Sequence, residues 1–173
     1  MSTLLWLVLG MGALQAGSGV RTVPRVDLER YAGDWFEVAR FPNRFQTNCA
    51  GDVTARYVRR TDGRIDVTNR CRQADGSFKE AQGVARIVDA TTSAKLEVRY
   101  APAFLSFLPF VWGDYWIIGL APDYSWAVVG SPDREYLWVL SRSRVLATSP
   151  YDAAIATAKA SGFDITRLVP TNR

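Results

Sequence analysis

Two short turn signatures, Thr61-Asp62-Gly63 and Ala74-Asp75-Gly76, constrain this chain more than any other feature of its sequence. Each reads as a three-residue hairpin loop ending in a glycine, whose left-handed backbone forms the bulge that such loops require. Side chains alternate between the two faces of a strand, so a fixed turn fixes which residues of its strands share a face. Pairing Arg60 with Arg64 sets Tyr57 opposite Val67, Ala55 opposite Asn69 and Val53 opposite Cys71. The second turn sets Val67 opposite Gly83 and Asn69 opposite Ala81, and the next hairpin sets Ile87, Ala85 and Gly83 opposite Leu96, Val98 and Tyr100. This face mixes small, aliphatic and aromatic residues. The opposite face carries Arg56, Asp66, Arg70, Arg72, Glu80, Gln82, Arg86, Glu97 and Arg99, the composition of positions turned to water.

The same rhythm runs through most of the chain. Eight strands are predicted: Trp35 to Phe41, Asp52 to Arg60, Arg64 to Arg72, Phe78 to Val88, Ala94 to Tyr100, Asp114 to Ala121, Trp126 to Ser131 and Tyr136 to Arg142. Turn signals every ten or so residues mark an antiparallel all-β sandwich or barrel. No helix is expected before Ser149-Pro150-Tyr151-Asp152, which has a cap, a first-turn proline and an acidic residue; Gly162 would stop it. That Ala-rich helix, with Ile155 and Ala158 available for packing, is placed outside the sheet. At 173 residues the chain is one domain with a real core. The periodicity is compatible with a filled sandwich. The small trio Ala81, Gly83 and Ala85 on one strand is also compatible with an eight-stranded barrel that leaves room for one small ligand.

The absence of histidine removes whole classes of chemistry. No Ser-His-Asp or Cys-His nucleophile system, His-ligated zinc or His-ligated haem can be built, and neither a metal nor a cofactor is expected. The net charge of +4 comes mostly from arginines scattered among acidic residues, a solvated surface rather than a nucleic-acid footprint. Residues 4–14 are apolar but too short to span a membrane, and small residues follow at Ala16, Gly17 and Gly19. Residues 1–19 therefore read as a signal peptide cleaved near 16–19, leaving a single domain over 20–173. A bacterial lipoprotein signal would place a cysteine where Leu14-Gln15-Ala16 is followed by Gly17, so a covalent lipid anchor is not expected. The two cysteines, Cys49 and Cys71, would be exported to an oxidising compartment; whether they meet depends on the fold.

Three motifs in order give a more specific reading. Tyr31-Ala32-Gly33-Asp34-Trp35 opens the first strand, Asp123-Tyr124-Ser125-Trp126 fills the turn before the seventh, and Leu137-Trp138-Val139-Leu140-Ser141-Arg142 ends the eighth. Together they resemble the three signatures of the lipocalins, across essentially all of the mature chain. The branch they resemble is the bacterial outer-membrane type, relatives of apolipoprotein D and the plant temperature-induced lipocalins, which Asn69-Arg70-Cys71 and Tyr136-Leu137-Trp138 also match. The resemblance implies an eight-stranded up-and-down β-barrel with one C-terminal helix packed outside. Its structural signature residues here are Gly33, Trp35, Asp123, Tyr124 and Arg142. Trp35 begins the first strand and Arg142 ends the last, so barrel closure brings guanidinium onto indole at one end.

With that end as the base, the loops after Phe41, Arg72, Tyr100 and Ser131 form the mouth. Cys49 and Cys71 then lie together there, and a disulfide between them is expected. The inner face predicts ligand contacts at Ala39, Ala55, Tyr57, Val67, Asn69, Lys79, Gly83, Ala85, Val98, Tyr100, Tyr115, Ile117, Val129, Tyr136 and Trp138. Tyr57, Asn69, Lys79 and Tyr100 would address a polar head. The uncharged loop 101–112 carries Phe104, Leu105, Phe107, Leu108 and Phe110, which must be covered by a membrane leaflet, by a partner copy or by folding over the mouth as a lid. The resemblance implies an exported, non-catalytic carrier of a lysophospholipid or fatty acid, periplasmic or outer-membrane associated, serving membrane maintenance as a monomer or weak homodimer. The alternatives are an isomerase-like enzyme using Glu37, Tyr57 or a free cysteine, Glu37 otherwise being paired near Arg142, and a carrier of a pigment or other apolar molecule.

Overall fold

In the computed structural model, which describes residues 19–172, the two turns close as their sequences require. Gly63 and Gly76 take φ of +82° and +84°, and Arg60 N–H donates to Arg64 O at 2.8 Å as Gln73 N–H does to Ser77 O. The segment read as a signal peptide falls on residues outside the described ones, apart from Gly19. All eight predicted strands are present, with ends moved by no more than two residues. They are β1 (Gly33–Arg40), β2 (Gly51–Arg59), β3 (Ile65–Arg72), β4 (Phe78–Ile87), β5 (Lys95–Arg99), β6 (Gly113–Leu120), β7 (Trp126–Gly130) and β8 (Leu137–Ser141). Each pairs antiparallel with the next, and β1 pairs with both β8 and β2, which closes the sheet into a barrel. Closure removes the exposed edges that an open sheet would present.

The register follows the parity argument almost throughout: Tyr57 faces Val67, Ala55 faces Asn69, Val67 faces Gly83, Asn69 faces Ala81 and Ala85 faces Val98. Two expected pairs do not form. The β2–β3 ladder slips between Gly51 and Thr54, where Asp52 takes φ +48°, so Gly51 rather than Asp52 faces Arg72 and the Val53–Cys71 pair is lost. At the top of β5 the ladder ends at Arg99, and the Tyr100 ring lies against Gly83, leaving only 2.8 Å from its Cδ1 to where a Cβ would stand.

A short helix that the sequence does not announce, α1 (Leu28–Tyr31), precedes β1. Its four residues are too few for a period; Asp27 caps it, its carboxylate accepting from Glu29 N–H at 2.9 Å and from Arg30 N–H at 3.3 Å. The segment leading to it crosses the closed end of the barrel, with Val23 N–H donating to Ile117 O and Val26 N–H to Thr92 O. The C-terminal helix α2 (Thr148–Ala160) begins one residue before the predicted cap: Ala147, not Ser149, is the N-cap and supplies no side-chain hydrogen bond. It lies outside β6 and β7, where Ala154 and Ala158 are fully buried and join Phe41, Val128, Leu137, Val139 and Phe163 in an outer core. A separate inner core lines the lower barrel at Trp35, Tyr57, Val67, Ala85, Leu96, Ile117 and Val129. Beyond α2 the chain returns as β9 (Val169–Pro170) on the edge of β1. This tail occupies the gap where β1 and β2 part, Asp52 N–H donating to Asn172 O at 2.8 Å.

Candidate functional site

The three sequence motifs meet at the base. Arg142 lies over the Trp35 ring, 3.9 Å from its centroid, and donates to the carbonyls of Arg30 (2.6 Å), Asp34 (2.8 Å) and Ala32 (3.0 Å). Gly33 takes φ +93° beside the guanidinium, a backbone conformation that a residue with a Cβ rarely adopts. From the second motif, the Tyr124 hydroxyl accepts from Asp27 N–H at 2.9 Å and its ring carries the Arg30 guanidinium at 4.0 Å, while Asp123 accepts from Ser125 N–H within its turn. These residues seal one end of the barrel and hold α1 on it.

Above the base, exposure rises along the inner wall. Tyr57, Val67, Ala85, Ile117 and Val129 are buried, and Ala55, Val98, Tyr115 and Trp138 are half-buried against them. Nearer the mouth, the inward positions Asn69 and Gly83 are half-buried, whereas Lys79, Ala81 and Tyr100 are exposed. Asn69 Nδ2 donates to the Tyr100 hydroxyl at 2.6 Å, and its buried Oδ1 has no partner. Tyr136 stacks on Trp138 at the rim, with centroids 5.8 Å apart, and Phe45 of the first mouth loop lies 5.6 Å from Tyr136.

Ala39 is not on this wall. The β1–β8 ladder shifts between Glu37 and Ala39, so Ala39 faces Val139 in the outer core while Arg40 faces Trp138 and turns inward in its place. The bulge also corrects the partner expected for Glu37. Its carboxylate pairs with Arg40 at 3.0 Å, not near Arg142, and also accepts from Gln46 Nε2 (2.6 Å) and the Thr171 hydroxyl (2.5 Å). Gln46 in turn accepts from Trp138 Nε1 at 3.0 Å, tying the first mouth loop to the wall. Burial raises the Glu37 carboxyl above its ordinary range, against the lowering pull of Thr171, Gln46 and Arg40. Arg40, Gln46 and Thr171 carry no sequence signal for this role, because the bulge and the returning tail that assemble them are not readable from periodicity.

Cys49 and Cys71 form the expected disulfide at the mouth, with Cα atoms 5.5 Å apart, which removes both thiols as nucleophiles. Loop 101–112 folds into two 3₁₀ turns, Ala103–Leu105 and Pro109–Val111, and presents Phe104, Phe107 and Phe110 at 74%, 77% and 79% exposure. Leu105 and Leu108 are half-buried beneath them. The foot of the loop is held outside the barrel: the Arg86 and Arg99 guanidiniums lie 4.1 Å and 5.3 Å from the Trp112 ring, and Trp112 Nε1 donates to Ser106 O at 2.9 Å. Arg99, expected to face water, is buried beneath it and donates to Ala101 O. The three phenylalanines are thus held out from the barrel, not packed into its mouth.

At the bottom of the lumen three tyrosines meet. The Tyr115 hydroxyl lies 2.8 Å from that of Tyr31 and 2.8 Å from that of Tyr57. Burial is the main reason that all three phenols ionise well above their ordinary range. In the unfolded chain they ionise near about pH 10. A raised folded value gives stability that is complete below the unfolded value and is lost as pH rises through the folded one. Denaturant midpoints are therefore expected to fall steeply above about pH 10, and more shallowly once Tyr31, Tyr57 and Tyr115 are all phenylalanine. Equal slopes for the two proteins would refute the linkage.

Comparison with known proteins agrees with this architecture. A family model described as a lipocalin-like domain matches residues 26–173. Temperature-induced lipocalin-1 of Arabidopsis thaliana is 38% identical over 88% of this chain and 82% of its own length. Outer membrane lipoprotein Blc of Escherichia coli strain K12 is 35% identical over 97% of this chain and 91% of its own. Among solved structures, insecticyanin from the tobacco hornworm Manduca sexta superposes with a TM-score of 0.69 at 19% identity, over 89% of this chain and 84% of that one. A barrel closed by β1 on β2 and β8, plugged by a tryptophan under an arginine and matched over nearly its whole described length, places this chain in the lipocalin family.

Proposed function

We propose that this lipocalin carries a lipid, a fatty acid or lysophospholipid, with its chain in the barrel lumen, and exchanges it with a membrane through loop 101–112. The observation that carries the reading is the gradient along the inner wall: a sealed base at Trp35 beneath half-buried Asn69 and Gly83 and exposed Ala81 and Tyr100. Such a site is open at one end and apolar below, and each acyl methylene buried in it contributes about 0.8 kcal/mol. Lys79, Asn69 and Tyr100 stand where a polar head would remain. The exposed Phe104, Phe107 and Phe110 beside the same opening support a membrane as the surface met during exchange. The apolar leader and the outer membrane lipoprotein among the relatives support an exported setting in the cell envelope, in membrane maintenance.

The direct test is mass spectrometry of protein purified from its native compartment, intact and then after organic extraction. A stoichiometric fatty acid or lysophospholipid is the expected result; an empty barrel that also ignores added lipid would overturn the reading. For the membrane step, replacing Phe104, Phe107 and Phe110 by serine is expected to abolish co-sedimentation with liposomes while leaving the melting temperature within a few degrees, since these side chains contact little of the fold. Undiminished co-sedimentation would remove the loop from the mechanism.

A further inference from the structure

Three phenolic hydroxyls bring three protons to the base of the lumen, and the structure supplies acceptors for two. Tyr31 and Tyr57 each lie 2.8 Å from Tyr115, and these are the two hydrogen bonds that join the three groups. Whichever way the bonds run, each uses one O–H. One proton is left without an acceptor among the described residues. If Tyr115 accepts from both neighbours, the spare donor is its own; if the bonds run as a chain, the spare donor is at one end of it. Raised ionisation ranges keep all three groups protonated at neutral pH, so the count does not change with ordinary conditions.

The triad also lies on the inner face at the closed end of the barrel, next to Trp35. Tyr115 is the half-buried member, on the inner face of β6 opposite Leu96, and the edge of its ring packs on Tyr57 with centroids 5.9 Å apart. Beneath it, Tyr31 packs on Trp35 at 5.0 Å. A buried donor without an acceptor favours whatever brings one. The base also selects against charge. The guanidinium at this end, on Arg142, is spent on three backbone carbonyls and the Trp35 ring, and none of the hydrogen bonds or ion pairs among the described residues brings a cation to the three hydroxyls.

We propose that Tyr31, Tyr57 and Tyr115 form a donor subsite at the closed end of the lumen that takes an uncharged oxygen acceptor at the buried end of the ligand. The class it selects is an acyl chain or other apolar molecule bearing a ketone, ester or ether oxygen at its leading end, in preference to a plain alkyl terminus. This rests on the carrier reading and narrows it.

Palmitic acid and 15-oxopalmitic acid separate the two claims when each displaces an apolar fluorescent probe from the protein. A ketone that loses water and gains no donor weakens binding, so an ordinary apolar base would prefer palmitate. The wild-type protein is expected to bind the oxo acid about tenfold more tightly. The triple variant Tyr31→Phe, Tyr57→Phe, Tyr115→Phe is expected to reverse that preference, and cooperative urea unfolding with the wild type's far-ultraviolet dichroism shows that it folds. Equal affinities in the wild type, or a preference that survives in the triple variant, would overturn the subsite and leave the carrier reading standing. Failure of both acids to bind the wild type would overturn both.

Discussion

Trp35→Ala is expected to cost about 3–5 kcal/mol of folding stability, the range for removing a fully buried large aromatic. The indole has no exposed surface, donates through Nε1 to Tyr31 O at 2.9 Å, and packs against both the Arg142 guanidinium and the Tyr31 ring. Alanine would leave a cavity at the one place where the barrel wall, α1 and the β8 terminus are held together. For a chain of this size the loss corresponds to a fall of roughly 6–20 °C in melting temperature. Arg142→Ala should couple to it. Part of each loss belongs to the shared cation–π contact, so a double-mutant cycle is expected to return about 0.5–2 kcal/mol. Urea titration of the four proteins measures both quantities. A Trp35→Ala protein within about 1 kcal/mol of the wild type would show that the base repacks and that the plug is not what closes the barrel.

How far these contacts were legible in the sequence follows from the range of each signal. Hairpin turns act over a few residues, and Gly63 and Gly76 were enough to fix most of the β2–β3–β4 register, from which Tyr57, Val67, Asn69 and Ala85 were placed on the inner face. The Trp35–Arg142 contact was legible too, once the resemblance implied a closed barrel, because antiparallel closure sets the start of the first strand beside the end of the last. Bulges defeat parity. One extra residue at Val38 sends Ala39 outward and Arg40 inward, with no glycine or proline beside it, and one at Asp52 dissolves the expected Val53–Cys71 pair, where the neighbouring Gly51 is the one local signal. Contacts made by isolated segments were equally silent. Thr171 reaches Glu37 across 134 residues of sequence, and α1 is held by Asp27 and the arginine of the third motif instead of by any period. Tyr31 stands within the first motif, but its place beside Tyr57 and Tyr115 depends on α1, which no sequence signal announces.

Removal of the Cys49–Cys71 bridge, as Cys49→Ser with Cys71→Ser, is expected to lower stability by about 3 kcal/mol, from the loop entropy released when a crosslink spanning 22 residues is lost. The native state should survive the change, because other bonds hold the first mouth loop. Asn43 Oδ1 accepts from the backbone N–H of Phe45 and Gln46, and Gln46 binds both Glu37 and Trp138. The loss then falls mainly on the unfolded ensemble, which gains freedom, so the urea midpoint should drop while far-ultraviolet dichroism of the folded protein stays the same. The denaturant slope should rise slightly, since an uncrosslinked chain unfolds to a more open ensemble. Restoring the thiols and leaving them reduced should reproduce the serine pair, which separates the covalent bond from the side-chain change. If the double variant lost less than about 1 kcal/mol, the Asn43–Gln46 network rather than the bridge would be what ties this loop to the barrel mouth.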